Sequence, residues 1–259
     1  MELRDAVAVV TGASSGIGER TAIALARRGA SVALAARRIE RLETLSERIG
    51  ASGGNALPVR CDVTDRDDLE RLRRSVETAF GRVDVLVNNA GIPGGGPFEG
   101  LSLDAIERVV RVNLLGVMEC TAVFLPMMLR EGRGHLVNVA SLAGRFATPG
   151  AAVYGATKHG VVAFSEALYH ELGRSGVLVT SVNPGYVPTE GFPASGRRGP
   201  LVLKRDRIAS TIVRVVEKGI APEISIPRWA GALQVFRVLT PPLYRWGVGV
   251  VSDTMPPPP

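Results

Sequence analysis

Cysteine, histidine and aromatic residues are all scarce in this chain: 2 Cys, 3 His and 5% Phe, Trp and Tyr among 259 residues. Cys61 and Cys120 are too few for a disulfide scaffold, and both sit in apolar runs where a thiol behaves as a small hydrophobe. No group of His, Cys or carboxylates has metal-ligand spacing, so no metal is expected. No uninterrupted apolar run approaches the roughly 18–20 residues that a membrane span needs. Nothing resembling a signal peptide stands ahead of the first strand-like run, which points to a cytoplasmic protein. With 46% hydrophobic and 22% charged residues, a disordered chain is excluded as well.

Lysine is scarcer still. Of 31 basic residues only Lys158, Lys204 and Lys218 are lysine, and the formal net charge is +6. The arginines are scattered, with Arg27-Arg28, Arg37-Arg38, Arg73-Arg74 and Arg197-Arg198 in different elements. No basic stripe with interleaved aromatics occurs, and no helix-turn-helix, zinc or RNA-binding signature. A solvated arginine-rich surface is expected, and no nucleic-acid partner.

What the chain does have is alternation. Strand-like apolar runs cover 6–11, 31–35, 56–62, 83–88, 135–141, 177–183 and 223–227. Helix-period segments lie between them, near 17–28, 40–49, 66–80, 104–130, 152–174 and 206–218. Strands that are apolar throughout are buried on both faces. Strict strand–helix alternation implies βαβ units and a parallel sheet. The expectation is one doubly wound α/β domain over 1–228, a seven-stranded, mostly parallel sheet with helices on both faces. A long Pro/Gly/Ser/Arg-rich loop occupies 188–205. An extension over 229–259 is apolar first and Pro-rich at its end.

The first strand runs into Thr11-Gly12-Ala13-Ser14-Ser15-Gly16-Ile17-Gly18, and a helix-period segment follows at once. Gly12 suits a tight turn, Gly16 the close approach of a pyrophosphate, and Gly18 close packing of helix on strand. Ser14, Ser15 and Ile17 belong to the same turn, where the helix N-terminus favours an anion. This is the dinucleotide-binding turn of a Rossmann fold. The second strand ends at Ala35-Ala36-Arg37-Arg38. Ala36 cannot grip a ribose 2′-hydroxyl as a carboxylate would, whereas Arg37 or Arg38 can pair with a 2′-phosphate. NADP(H) is therefore favoured over NAD(H).

Tyr154 and Lys158 are four apart in a helix-period segment, on one face. A nearby ammonium stabilises a phenolate and brings tyrosine towards useful acid–base chemistry near neutrality. Ser141 closes the fifth strand at the carboxyl edge, where open sheets bind ligands.

Together these motifs resemble the short-chain dehydrogenase/reductase family, over residues 5 to about 227. Asn88-Asn89-Ala90-Gly91 matches the family's next motif, which makes Asn89, Ala90 and Gly91 expected cofactor neighbours. Asp62-Val63 looks like the pair at the adenine, and Pro184, Gly185, Val187 and Thr189 like the nicotinamide segment. Asn113, Ser141, Tyr154 and Lys158 fill the catalytic positions. The resemblance implies hydride transfer between nicotinamide and a carbonyl or secondary alcohol. Tyr154 would be the acid/base, Ser141 the polarising hydroxyl, Lys158 the ribose ligand and Asn113 the anchor of a relay water. It also implies a homodimer or homotetramer; apolar residues on the two long helices (Leu114, Leu115, Val117, Met118, Val161, Val162, Phe164, Leu168) agree with one.

Pocket residues are expected from 92–98, 142–149 and 186–205, where Leu142, Phe146, Tyr186 and Phe192 lean apolar. A steroid- or lipid-type hydroxy dehydrogenase is the alternative substrate reading, and an NADP-sensing binding protein the non-enzyme one. His159 is read as structural. In the extension, Pro241-Pro242 divides 229–251 into halves too short to span a bilayer. Packing on the protein or on a sister subunit is expected there, with peripheral membrane contact and disorder as the alternatives.

Overall fold

The computed structural model describes residues 1–193 and 199–254. Seven strands form one sheet: β1 Val7–Thr11, β2 Ser31–Ala36, β3 Asn55–Arg60, β4 Val85–Asn88, β5 Gly134–Val139, β6 Val177–Pro184 and β7 Glu223–Ile226. Their order is β3-β2-β1-β4-β5-β6-β7, and all six pairings are parallel. The helices are α1 Gly16–Ala26, α2 Ile39–Gly50, α3 Arg66–Phe80, α4 Leu103–Val110, α5 Gly116–Glu131, α6 Ala152–Glu171 and α7 Arg205–Lys218. Three more, α8 Arg228–Ala232, α9 Gln234–Leu239 and α10 Pro241–Thr254, follow the last strand.

All five residues of β1 are buried, and its alternate side chains feed two cores. Ala8 and Val10 join Leu25, Leu34, Ile208 and Ile212 on one side of the sheet. Val9 joins Leu72, Leu86, Phe124 and Leu136 on the other. Each such side chain stabilises the fold by about 1.5–3 kcal/mol relative to exposure, which is why uniformly apolar runs became central strands. Helix ends follow local chemistry too. The Asp65 carboxylate accepts from the amides of Asp67 and Asp68 at the start of α3, and Gly81 ends that helix at φ 75°.

One helix differs from its sequence reading. The single segment expected at 104–130 is two helices, α4 and α5, joined by a π-helical turn at Arg111–Leu115. Over Leu103–Glu131 this continuous rod is long and apolar enough to cross a membrane. Its apolar face is already used: Val117, Cys120, Phe124, Met127 and Met128 are buried against sheet and neighbouring helices. Of the apolar residues that suggested a subunit contact, half belong to the fold's own core and half keep part of their surface outside it. Val117, Val161, Val162 and Leu168 are buried in the fold itself, and Leu114, Leu115, Met118 and Phe164 are half-buried.

At the amino edge of the sheet, buried Asp84 ties three strands together. Its Oδ2 accepts from the Val7 amide at 2.8 Å and Arg82 Nε at 3.0 Å, while Arg133 stands 3.1 Å from Oδ1. Asp84→Ala would strand the Val7 N–H. Both arginines keep solvent access, so the expected loss is about 2–3 kcal/mol of unfolding free energy. Urea denaturation measures it, and a loss under about 0.5 kcal/mol would refute the assignment.

Candidate active site

Strand order reverses direction between β1 and β4, and the glycine turn leaves β1 at that crevice. Gly12 has φ +66°, and a Cβ on it would stand 2.9 Å from Ala90 Cα. A Cβ on Gly18 would lie 2.5 Å from Asn89 Nδ2 and closer still to the Gly12 carbonyl oxygen. Thr11 Oγ1 accepts from the amides of Asn89 and Ala90 at 3.0 and 3.1 Å, and Asn89 Nδ2 donates to Thr11 O at 2.9 Å. The turn is thus fastened to the end of β4, with room for hydrogen only at two of its glycines. Ser15 precedes α1 in extended backbone without capping it, so the first-turn amides have no side-chain acceptor there. Ile17 turns inward and packs on the core.

Beside this turn lies a charged rim. Arg38 Nη2 donates to Ser14 Oγ at 3.0 Å and Ser15 Oγ at 3.1 Å, and Arg38 Nη1 donates to Glu190 at 2.8 Å. Arg41, one turn further along α2, binds the other oxygen of Glu190. Hydrogen bonds from Arg41 and Arg38 hold the Glu190 carboxyl below the ordinary range. Arg37 goes elsewhere: it is largely exposed, 3.9 Å from Asp62. Of the two arginines the sequence offered, Arg38 reaches the glycine turn and Arg37 does not. Arg41 and Glu190 were not foreseen. A second arginine one turn along α2 was a weak signal for the first, and nothing in the local sequence marked the second.

Asp62 and Val63 follow β3 on the same edge. Asp62 Oδ1 accepts from the Thr64 amide at 3.0 Å and its hydroxyl at 2.8 Å. Val63 is buried, and a Cβ on Gly116 would come 3.0 Å from it, so this valine also fixes the start of α5.

Ser141 stands just beyond β5, where its Oγ accepts from the Ala143 amide at 3.1 Å. A Cβ on Gly144 would be 2.6 Å from Lys158 O, so this short turn lies directly on α6. Tyr154 and Lys158 share one face of α6. Lys158 Nζ donates to Val139 O at 2.9 Å and is 5.8 Å from the Tyr154 ring centroid. Burial pushes Tyr154 up to about 12, opposed by its hydrogen bond with Ser141. Burial also pulls Lys158 down to about 8. The sequence led us to expect the opposite for Tyr154. Lys158 directs its ammonium to the Val139 carbonyl, and desolvation disfavours the charged form of each group.

Asn113 sits at the centre of the π turn and is fully buried. Its Oδ1 accepts from the Ile92 amide at 2.8 Å and its Nδ2 donates to Ile92 O at 2.9 Å. The side chain therefore clamps the loop after β4. Gly91 lies between, where a Cβ would be 3.3 Å from Asn113 Oδ1 and 3.8 Å from Lys158 Nζ. Asn88 donates to Thr121 and Asn138, and Asn138 donates to Ser165, joining β4, β5, α5 and α6 by buried bonds of 2.9–3.0 Å.

Beyond Pro184, the Gly185 amide donates to Ile226 O at 2.8 Å, and Val187 is buried. Thr189 covers the glycine turn: a Cβ on Gly16, whose φ is +65°, would lie 3.1 Å from its methyl. Phe192 meets the Tyr154 ring edge-on, with centroids 5.6 Å apart. The loop after β6 thereby touches both halves of the site. Arg197 and Arg198 lie outside the described residues. His159 is structural, its ring bonded to Gly155 O at 2.9 Å and Arg237 at 3.0 Å.

The short chain dehydrogenase family model matches residues 6–197. The chain belongs to that family. As a short-chain dehydrogenase it is 45% identical over 184 residues to the glycine betaine reductase ATRR of Emericella nidulans, covering 71% of this chain but only 14% of that protein. An actinorhodin polyketide ketoreductase solved with NADPH superposes with a TM-score of 0.79 at 34% identity, covering 85% of this chain and 94% of that one. An alcohol dehydrogenase of the archaeon Thermococcus sibiricus, solved with 5-hydroxy-NADP, gives 0.77 at 31% identity, covering 86% and 96%. These likenesses establish a dehydrogenase fold and an oxidoreductase.

Proposed function

We propose that this dehydrogenase uses NADP(H) to interconvert a carbonyl and a secondary alcohol on an apolar small molecule. The observation that carries the reading is the convergence of Ser141, Tyr154 and Lys158 at the carboxyl edge of β5, beside the glycine turn. The cradle fits the cofactor: three glycines leave no side chain in it, two serines and an arginine supply donors, and α1 begins there uncapped. When bound, the nicotinamide supplies the hydride. Tyr154 gives its phenolic proton to the carbonyl oxygen in reduction and takes it back in oxidation. Ser141 donates a hydrogen bond to that oxygen as negative charge develops. Lys158, beside Gly91, positions the cofactor ribose. Because both polar atoms of the Asn113 side chain are bonded to Ile92, a relay water at this residue would be held by its main chain.

Asn89, Ala90, Gly91, Pro184, Gly185, Val187 and Thr189 would form the walls of the cofactor site. Asp62 and Val63 would lie at the adenine. Phe192, edge-on to the Tyr154 ring, supports an apolar substrate, including the steroid- or lipid-type alternative. Assembly as a homodimer or homotetramer rests on the family resemblance alone, and a light-scattering mass decides it. Turnover of NADPH with a panel of apolar ketones separates the enzyme from a binding protein that only senses NADP.

Cofactor choice has a sharper test. Arg38→Ala removes the guanidinium that spans Ser14 and Ser15 and should raise the Kd for NADPH by about ten- to a hundredfold. Arg37→Ala should change it by less than about threefold, the scale of an exposed ion pair. NADH binding should move with neither. Fluorescence titration gives all four constants, and equal losses for both cofactors would show that no 2′-phosphate is read here.

A further inference from the structure

The three helices after β7 leave a row of large apolar side chains exposed to water. Their apolar stripe faces out: Trp229 on α8, Val235, Val238 and Leu239 on α9, and Leu243 and Trp246 on α10 are 50–73% exposed. Within α9 and α10 the members are spaced three and four apart, as one helix face requires. Two polar side chains tie α9 and α10 to the body of the protein. Arg237 donates to His159 Nε2 at 3.0 Å and to the carbonyl of Arg145. Tyr244 accepts from the Ala147 amide at 3.0 Å, and its ring stands 6.5 Å from that of Phe146. A contiguous apolar stripe left exposed along three successive helices marks an interaction surface.

Charge identifies the partner. α8–α10 contain Arg228, Arg237 and Arg245 against a single acid, Asp253 in the last turn of α10. Arg228 and Arg245 are exposed beside the stripe. A second copy meeting this surface about a twofold axis would set arginine against arginine, since the same patch would stand on both sides. An anionic bilayer offers the complement: phosphates for the guanidinium groups, a headgroup boundary for the two indoles and acyl chains for the aliphatic stripe. Helices of 5, 6 and 14 residues are too short to cross.

We propose that α8–α10 form a docking surface for an anionic bilayer and lie flat in its headgroup layer. The anchors Arg145 and Ala147 follow the Ser141 turn, so docking brings the mouth of the site to the lipid. Resting on the function proposed above, the substrate is then a carbonyl or alcohol dissolved in the membrane. The docking itself does not depend on that reading.

Sedimentation of the full chain with vesicles tests it. The protein should pellet with phosphatidylcholine vesicles containing about one-third phosphatidylglycerol and stay in the supernatant with phosphatidylcholine alone. Arg228→Gln and Arg245→Gln should each lower the partition coefficient about fivefold, at about 1 kcal/mol per basic residue near the surface. Trp229→Ala/Trp246→Ala should abolish pelleting, while thermal unfolding and NADPH turnover with a water-soluble ketone stay as in the wild type. Three results overturn the proposal: no pelleting of the wild type, equal pelleting of the tryptophan variant, or a dimer mass that this variant reduces to a monomer. The last would make the stripe an interface between copies. Loss of turnover with docking intact would overturn the enzymatic reading alone.

Discussion

Tyr154→Phe should lower kcat for ketone reduction by about a hundred- to ten-thousandfold, the range of a lost general acid. The ring contact with Phe192 at 5.6 Å needs no hydroxyl, so phenylalanine keeps the packing of the substrate side. NADPH should still bind within about threefold, because the glycine turn and Arg38 are untouched. With its pKa near 12, Tyr154 is protonated throughout the neutral range and holds the proton that reduction consumes. Ionisation of this phenol should therefore leave no break in the pH–rate profile of reduction below about pH 10. Stopped-flow oxidation of NADPH measures both quantities. A variant retaining a tenth of wild-type kcat would show that another group delivers the proton.

Gly18→Ala should be as damaging by a different route. The added methyl would stand 2.5 Å from Asn89 Nδ2 and nearer still to the Gly12 carbonyl, both fixed by backbone and by the Thr11–Asn89 bonds. Neither neighbour is the free end of a flexible chain, so α1 must leave β1. The expected cost is about 3 kcal/mol of stability, at the upper end of ordinary overpacking. NADPH affinity should fall by at least about a hundredfold, since the amides at the start of α1 move with the helix. Gly50→Ala is the control: a Cβ there meets nothing within 4 Å, and the residue closes α2. Helix propensity alone makes it neutral or stabilising by up to about 1 kcal/mol. Thermal melts and fluorescence titration of the pair give the comparison, and similar results for both would remove the close-packing argument.

The strands were legible because burial on both faces leaves an uninterrupted apolar run. β1 and β6, the runs 6–11 and 177–183, came within one residue of their limits at each end. β3 was harder, since an edge strand with exposed Asn55 and Arg60 keeps a mixed pattern. The π turn at Arg111–Leu115 was invisible because inserting one residue shifts the helical period without changing any residue type. Helices α9 and α10 were missed because Pro241-Pro242 reads as a break, although proline fits the first turn of a helix. In the site, Gly12, Gly18 and Arg38 stood in a recognisable local pattern. Glu190 binds Arg38 from 152 residues away, a pairing that no window of sequence contains. The Tyr154 shift failed for a related reason: the sequence displays the ammonium four residues on, but not the apolar shell that desolvates the phenol.

The strand order also dictates how the sheet can be built during synthesis. β2 adds to one edge of β1 and β3 to the free edge of β2 as soon as each appears, but the other edge of β1 waits for β4, whose Val85 pairs with Ala8. The Val7 amide meets its Asp84 partner only across 77 residues of chain. At about 5–20 residues per second, that interval lasts roughly 4–15 s. For that time a strand that is fully buried in the finished protein has one unpaired edge, the kind of surface that recruits another chain. From β4 onward each wait is shorter, because β5, β6 and β7 each dock on the strand made just before. A chain held before β4 has emerged to pair with β1 is therefore at the longest aggregation-prone stage of its synthesis.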